Sequence, residues 1–162
     1  MSVFKIIKSL HKLVDMHKTL IDISGQKTEI IKEGSVDKLQ TLLIKERKHV
    51  KAIEQIEKLR QTEVKEWFTQ QGSKEDPPTI TRMLAIISDD EQQKELEAMT
   101  VSLTEAITQL KQQEELNQAL IQQSMQFVQL SLDMINPSIK SMNYGNKKET
   151  ESIKRSVFDS KA

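Results

Sequence analysis

Three histidines are the residues of this sequence whose side chains most readily suggest chemistry. His11 and His17 lie six residues apart, which puts them on different faces of a helix, where they cannot share a metal ion. His49 has no histidine or cysteine at a ligand spacing, since the chain contains no cysteine. Neither His11-Lys12 nor His17-Lys18 is followed by the glycine that would open a phosphotransfer surface. We therefore predict structural histidines, no metal site and no cofactor.

Polar residues at otherwise apolar helix positions form a second group. Glu46, Glu57 and Arg60 interrupt the apolar repeat of one predicted helix, and Asn117 and Ser124 interrupt that of another. Polar residues on a helical seam usually set the register of packing. We predict that role here, with Asn117 bonding to Glu46. The sequence also has no glycine-rich phosphate loop and no nucleophile–base motif, so we predict that the protein is not an enzyme.

Glycine and proline divide the chain into the elements that carry these side chains. Gly34-Ser35 predicts a tight turn, because glycine closes one helix in the left-handed conformation and serine caps the next. Ser88 and Glu91 make the capping-box pattern that begins a long helix, and Pro137 ends that helix. The predicted helices are residues 3–33, 36–71, 80–87 and 88–136.

The second helix carries a sustained seven-residue repeat, which is typical of coiled-coil-like packing. Its members are Val36, Leu39, Leu43, Glu46, Val50, Ile53, Glu57, Arg60, Val64 and Trp67, and a parallel stripe adds Leu42, His49, Ile56, Leu59 and Phe68. The predicted fold class is all-α: an antiparallel bundle of three long helices and one short helix, with a long C-terminal helix. We predict residues 1–136 as the bundle domain and residues 137–162 as a flexible tail.

The end of the long helix is apolar on most of its circumference. At 1.5 Å per residue, this helix should extend about 18 Å beyond the Gly34-Ser35 turn. Two neighbouring helices cannot easily cover that end, so its large side chains form the candidate binding surface. They are Leu120, Ile121, Met125, Phe127, Val128, Leu130, Leu132, Met134 and Ile135.

Composition excludes several classes of partner. The 24 basic and 24 acidic residues balance, so no net field favours nucleic acid or an anionic membrane. An aromatic content of 4% leaves few stacking platforms for single-stranded nucleic acid. The N-terminus lacks the pattern of a secretory signal, and no apolar run reaches the length of a bilayer span. We therefore expect a soluble cytoplasmic protein without stable membrane insertion.

Several patterns in this order resemble the FlgN family of flagellar export chaperones. They are Leu39-x-x-Leu42-Leu43-x-x-Glu46, then Ile53-x-x-Ile56-x-x-Leu59-Arg60, a proline-containing break, and Asn117-x-x-Leu120-Ile121-x-x-Ser124-x-x-Phe127-Val128. Asn143-Tyr144-Gly145 and Phe158-Asp159-Ser160-Lys161 look like the Gram-positive branch. The resemblance implies an antiparallel helical bundle in the cytoplasm. It also implies binding of the C-terminal helical segments of the hook–filament junction proteins, FlgK and FlgL, and their delivery to the flagellar type III export gate.

The resemblance implies that the client binds the C-terminal part of the last long helix, where the candidate surface lies. A homodimeric coiled-coil scaffold is the alternative, since two copies could bury the same surface. A phosphotransfer bundle is a third and lesser one. In the tail, Tyr144, Val157 and Phe158 are candidates for a contact with the export gate or for docking back on the long helix. The alternative is a disordered tail without such a contact.

Overall fold

The computed structural model describes residues 2–74 and 77–135, all of which lie in helices or in short connections. The helices are α1 (Ser2–Glu33), α2 (Val36–Gln70), α3 (Ile80–Ile86) and α4 (Asp90–Ile135). This confirms the predicted all-α class with three long helices and one short one. The predicted tail, with Tyr144, Val157 and Phe158, lies outside the described residues, and its roles stay predictions.

The connections follow from local chemistry. Gly34 has a φ of 77°, and its N–H donates to Ile30 O at 3.0 Å, which closes α1. The Ser35 side chain then accepts from Lys38 N and caps α2. Gly72, with a φ of 71°, ends α2 in the same way.

The start of α4 corrects the predicted capping box by one residue. Asp89, not Ser88, is the cap: its Oδ1 accepts from Glu91 N at 3.0 Å and from Gln92 N at 3.1 Å. A carboxylate at this position satisfies two free backbone donors and also faces the positive end of the helix dipole. The shift explains why α4 begins at Asp90.

The chain divides into two compact units, Met1–Leu120 and Ile121–Ala162. We call the first the bundle unit. Within it, α2 runs antiparallel to α1: Ser9 Oγ donates to Glu63 Oε2, and Lys27 contacts Glu46 nearer the turn. The helix α4 runs parallel to α1, because His11 lies 3.9 Å from Glu95 near the start of α4, whereas Lys27, further along α1, lies 3.0 Å from Glu114, further along α4.

The main core lies at the end of the bundle unit where α3 packs. Trp67 and Phe68 meet edge to face, with ring centroids 5.0 Å apart. Met83 of α3 is fully buried in the same cluster, so the short helix closes this end of the bundle unit. The buried members are Val3, Ile6, Ile7, Leu10, Val64, Trp67, Phe68, Met83 and Leu96. A second cluster nearer the turn contains Leu20, Ile23 and Leu42.

The predicted seam of α2 is correct at one end and wrong at the other. Val64 and Trp67 are buried, but Leu43 is 36% exposed, Val50 38% and Val36 66%. Near the turn, Leu42 of the parallel stripe is buried, while Glu46 and Ile53 of the seam are half-buried and still face α1, through Lys27 and the second cluster. A seven-residue repeat identifies two adjacent stripes, and only the neighbouring helix selects between them.

Candidate functional site

We call residues 121–135 of α4 the distal segment. All of these residues are exposed except Ser131, which is half-buried. They remain helical to Ile135. The exposed fractions of the large side chains reach 68% at Met125, 70% at Phe127 and 74% at Met134. A contiguous group of exposed large apolar side chains on a protein surface usually marks an interaction site.

All but one of the remaining candidate residues are exposed as well. Leu120, the last residue of the bundle unit, is half-buried. The other exposed members are Ile121, Val128, Leu130, Leu132 and Ile135.

A layer of polar side chains, some buried and others half-buried, crosses the three long helices near the end of the bundle unit. We call it the polar layer, and it consists of Ser24, Lys27, Thr28, Glu46, Gln113, Glu114 and Asn117. Lys27 Nζ lies 2.7 Å from Glu46 Oε2 and 3.0 Å from Glu114 Oε2. The contact with Glu46 has the geometry of an ion pair, not of a well-directed hydrogen bond. One lysine of α1 thereby holds a carboxylate from each of α2 and α4.

Hydrogen bonds complete the polar layer around Asn117. Its amide nitrogen donates to Ser24 O at 2.9 Å and to Ser24 Oγ at 3.0 Å, and its oxygen accepts from Thr28 Oγ1. Ser24 Oγ in turn donates to Glu114 Oε1 at 2.8 Å. The predicted bond between Asn117 and Glu46 is wrong, because Lys27 takes Glu46 and α1 presents the nearer partners.

The charges around Lys27 decide its protonation. Burial lowers the pKa of the ammonium, but the close carboxylates of Glu46 and Glu114 outweigh burial and raise the pKa above its ordinary value. The side chain therefore stays charged at neutral pH. On α2, the hydrogen bonds from Arg60 lower the pKa of the Glu57 carboxyl against the opposing effect of burial. Glu57 and Arg60 form an ion pair within α2, whereas Glu46 of α2 forms its ion pair with Lys27 of α1.

The histidines have structural surroundings. His17 Nδ1 donates to Leu13 O at 2.7 Å, within α1. His11 is exposed, with Nε2 3.9 Å from Glu95 Oε1 of α4. Within residues 2–74 and 77–135, no three histidine, cysteine, aspartate or glutamate side chains gather as metal ligands would. In the same residues, no helix has the length and hydrophobicity that crossing a bilayer requires.

A shallow groove of about 440 Å³ lies between α1 and α2 near the turn. Its lining mixes apolar Ile30 and Leu42 with Asp37, Lys38 and Lys45. Because the opposing charges are interspersed, the groove favours no single class of ligand. The distal segment is the stronger candidate for function.

Comparison with known proteins gives two matches over most or all of the chain. A family model described as FlgN protein matches residues 1–152. The chain is also 35% identical to an uncharacterized protein, YvyG, of Bacillus subtilis strain 168, with 100% of both chains covered. No solved structure matches the chain.

Proposed function

The chain belongs to the FlgN family, whose role is that of a flagellar export chaperone and not of an enzyme, and from this premise we propose that its distal segment binds the C-terminal helical segments of the junction proteins FlgK and FlgL. The exposure of nearly every residue in the distal segment is the observation that carries the proposal. An amphipathic client helix would lay its apolar face on these side chains, as helices do in other helix-in-groove complexes.

Covering the client helix explains how such a protein acts without catalysis. In the cytoplasm, a free apolar helix face would pair with other copies of the client and begin assembly too early. Bound to the distal segment, the same face is shielded from those copies. The surface is rich in methionine, whose flexible side chain adapts to different partners, which suits a chaperone with two clients. Release at the export gate then requires only reversible contacts.

Replacing Met125, Phe127 and Leu130 together with serine tests this function. We expect client binding to weaken about 100-fold, because each of three central apolar side chains contributes about 1 kcal/mol or more and 1.4 kcal/mol is tenfold. The measurement is titration with the C-terminal segments of FlgK and FlgL. Phe4→Ser/Val101→Ser/Ile107→Ser is the matched control, since these side chains of the bundle unit are also exposed.

The control variant should bind as the natural chain does, and both variants should keep their helical circular dichroism. Equal binding by the distal variant and the natural chain would contradict the proposal. A loss of helicity in the distal variant would show that these residues support the fold. Sedimentation of the natural chain without client addresses the homodimeric scaffold, which requires a stable dimer that the serine substitutions disrupt.

A further inference from the structure

We propose that the distal segment holds two helices of its client at once, one on each of two separate apolar faces. This inference rests on the proposed function and adds the form that the client takes. The seam face consists of Ile121, Met125, Val128, Leu132 and Ile135, at alternating spacings of four and three. The outer face consists of Phe127, Leu130 and Met134.

The circumference of the helix is too apolar for one partner. At 3.6 residues per turn, the apolar positions from Leu130 round to Met125 span about 220°. A single amphipathic helix offers an apolar stripe of about 100° or somewhat more. A lone client helix on either face would therefore leave the other face in water. Within that span, Gln123 lies on the outer face, and Ser124 and Ser131 lie between the two faces. The remaining arc carries Gln122, Gln126, Gln129 and Asp133.

Both faces are exposed to a similar degree. On the seam face, Met125 is 68% and Leu132 58% exposed, and on the outer face Phe127 is 70% and Leu130 59% exposed. Neither face is more covered by the chain itself than the other. Equal exposure favours a partner that reaches both.

The outer face is more apolar in the distal segment than in the preceding part of α4. Gln109 and Gln112 lie eighteen residues, or about five turns, before Phe127 and Leu130, which gives them the same angular positions on an α-helix, and both are exposed. Leu116 lies eighteen residues before Met134 and is 47% exposed. The distal segment thus has three large apolar side chains at angular positions where the preceding turns have one.

The seam face continues a stripe that two helices already cover in the bundle unit. Leu96 of α4 is fully buried in a core to which both α1 and α2 contribute, and Leu110 packs against the second cluster. Asp133 is the one charged residue of the distal segment. The client helices that fit are therefore apolar on the contacting side and need little charge there. A helical pair from one client chain meets this requirement.

Single cysteines can report the coverage of each face, because the natural chain has none. Met125→Cys reports the seam face, Leu130→Cys the outer face, and Gln122→Cys the polar arc between them as the control. Each chain is labelled with a maleimide, alone and saturated with the C-terminal segment of FlgK. We expect the client to slow labelling at both Met125→Cys and Leu130→Cys by about tenfold or more, since thiol reactivity follows exposure. Labelling at Gln122→Cys should be unchanged.

The outcomes separate this inference from the proposed function. Protection of only one of the two apolar positions would show a single client helix and overturn the inference while supporting the function. A stable complex with neither position protected would also overturn it. Failure of the natural chain to bind FlgK or FlgL would overturn the proposed function and the inference together. Protection without client that rises with protein concentration would assign one face to a second copy of this chain and overturn the two-helix client.

Discussion

The polar layer and the distal segment both depart from the usual distribution of side chains. The polar layer buries polar side chains, and the distal segment exposes large apolar ones. In the polar layer, Ser24, Lys27 and Asn117 are at most 5% exposed inside the bundle. In the distal segment, Phe127 and Met134 are at least 70% exposed on the surface. Glu114 of the polar layer and Ile121 of the distal segment lie only two turns apart on α4, so both departures occur on the same helix.

The difference assigns two tasks, fixing the register of helix packing and binding a partner, to different kinds of side chain. A seam of leucines packs in several registers, whereas Lys27 and its two carboxylates are satisfied in only one, so the polar layer specifies how α4 lies on α1. Under the proposed function, the distal segment instead offers its exposed apolar area to a client, at about 25 cal/mol for each Å² later buried. Packing specificity within the bundle would then come from polar contacts, and affinity for the client from apolar ones.

The largest expected effect comes from removing the centre of the polar layer. Lys27→Met should lower the free energy of unfolding by about 3–5 kcal/mol, because it leaves the carboxylates of Glu46 and Glu114 without their cation. Urea denaturation measures this change. The variant Lys27→Met/Glu46→Leu/Glu114→Gln, which carries none of the three charges, should recover most of the loss. A single variant as stable as the natural chain would show that the layer does not hold α4.

Two leucines of α4 compare the bundle unit and the distal segment directly. Leu96 is fully buried, and Leu96→Ala should cost about 2–5 kcal/mol as a cavity forms. Leu132 is 58% exposed, and Leu132→Ala should change stability by about 0.5 kcal/mol or less. Thermal unfolding of both variants measures the difference. Similar losses in the two variants would mean that the distal segment is packed and not free.

The smallest effect is a dependence on alkaline pH. Because the folded state raises the pKa of Lys27, its stabilising contribution is fully present below the ordinary lysine pKa of 10.5. The contribution is lost as the pH rises through the higher folded pKa. The stability advantage of the natural chain over Lys27→Met should therefore shrink above about pH 10.5. Denaturation series of both chains from pH 9 upward test this, and an advantage that stays constant would contradict the raised pKa.

Much of the fold followed from local signals. The Gly34-Ser35 turn and the long helix before Pro137 depend on backbone chemistry within a few residues. The family resemblance followed from the order of short helical patterns. Of the polar layer, the sequence predicts Glu46 and Asn117 as register-setting residues but not Lys27, because a scan of apolar residues gives no weight to a lysine. A signal was present: Lys27 lies seven residues after Leu20 and fourteen after Leu13, on the buried stripe of α1.

The sequence by itself determined the helices, their apolar stripes and the excess of apolar side chains near the end of α4, since these depend on residue type and spacing along one chain. Tertiary structure alone decided which of two adjacent stripes on α2 is buried, leaving Leu43 half outside and Leu42 inside. It also decided that Asn117 bonds to Ser24 and Thr28 of α1 and that Lys27 joins three helices. Such choices depend on which helix lies alongside, and a pattern within one helix carries no information about its neighbour.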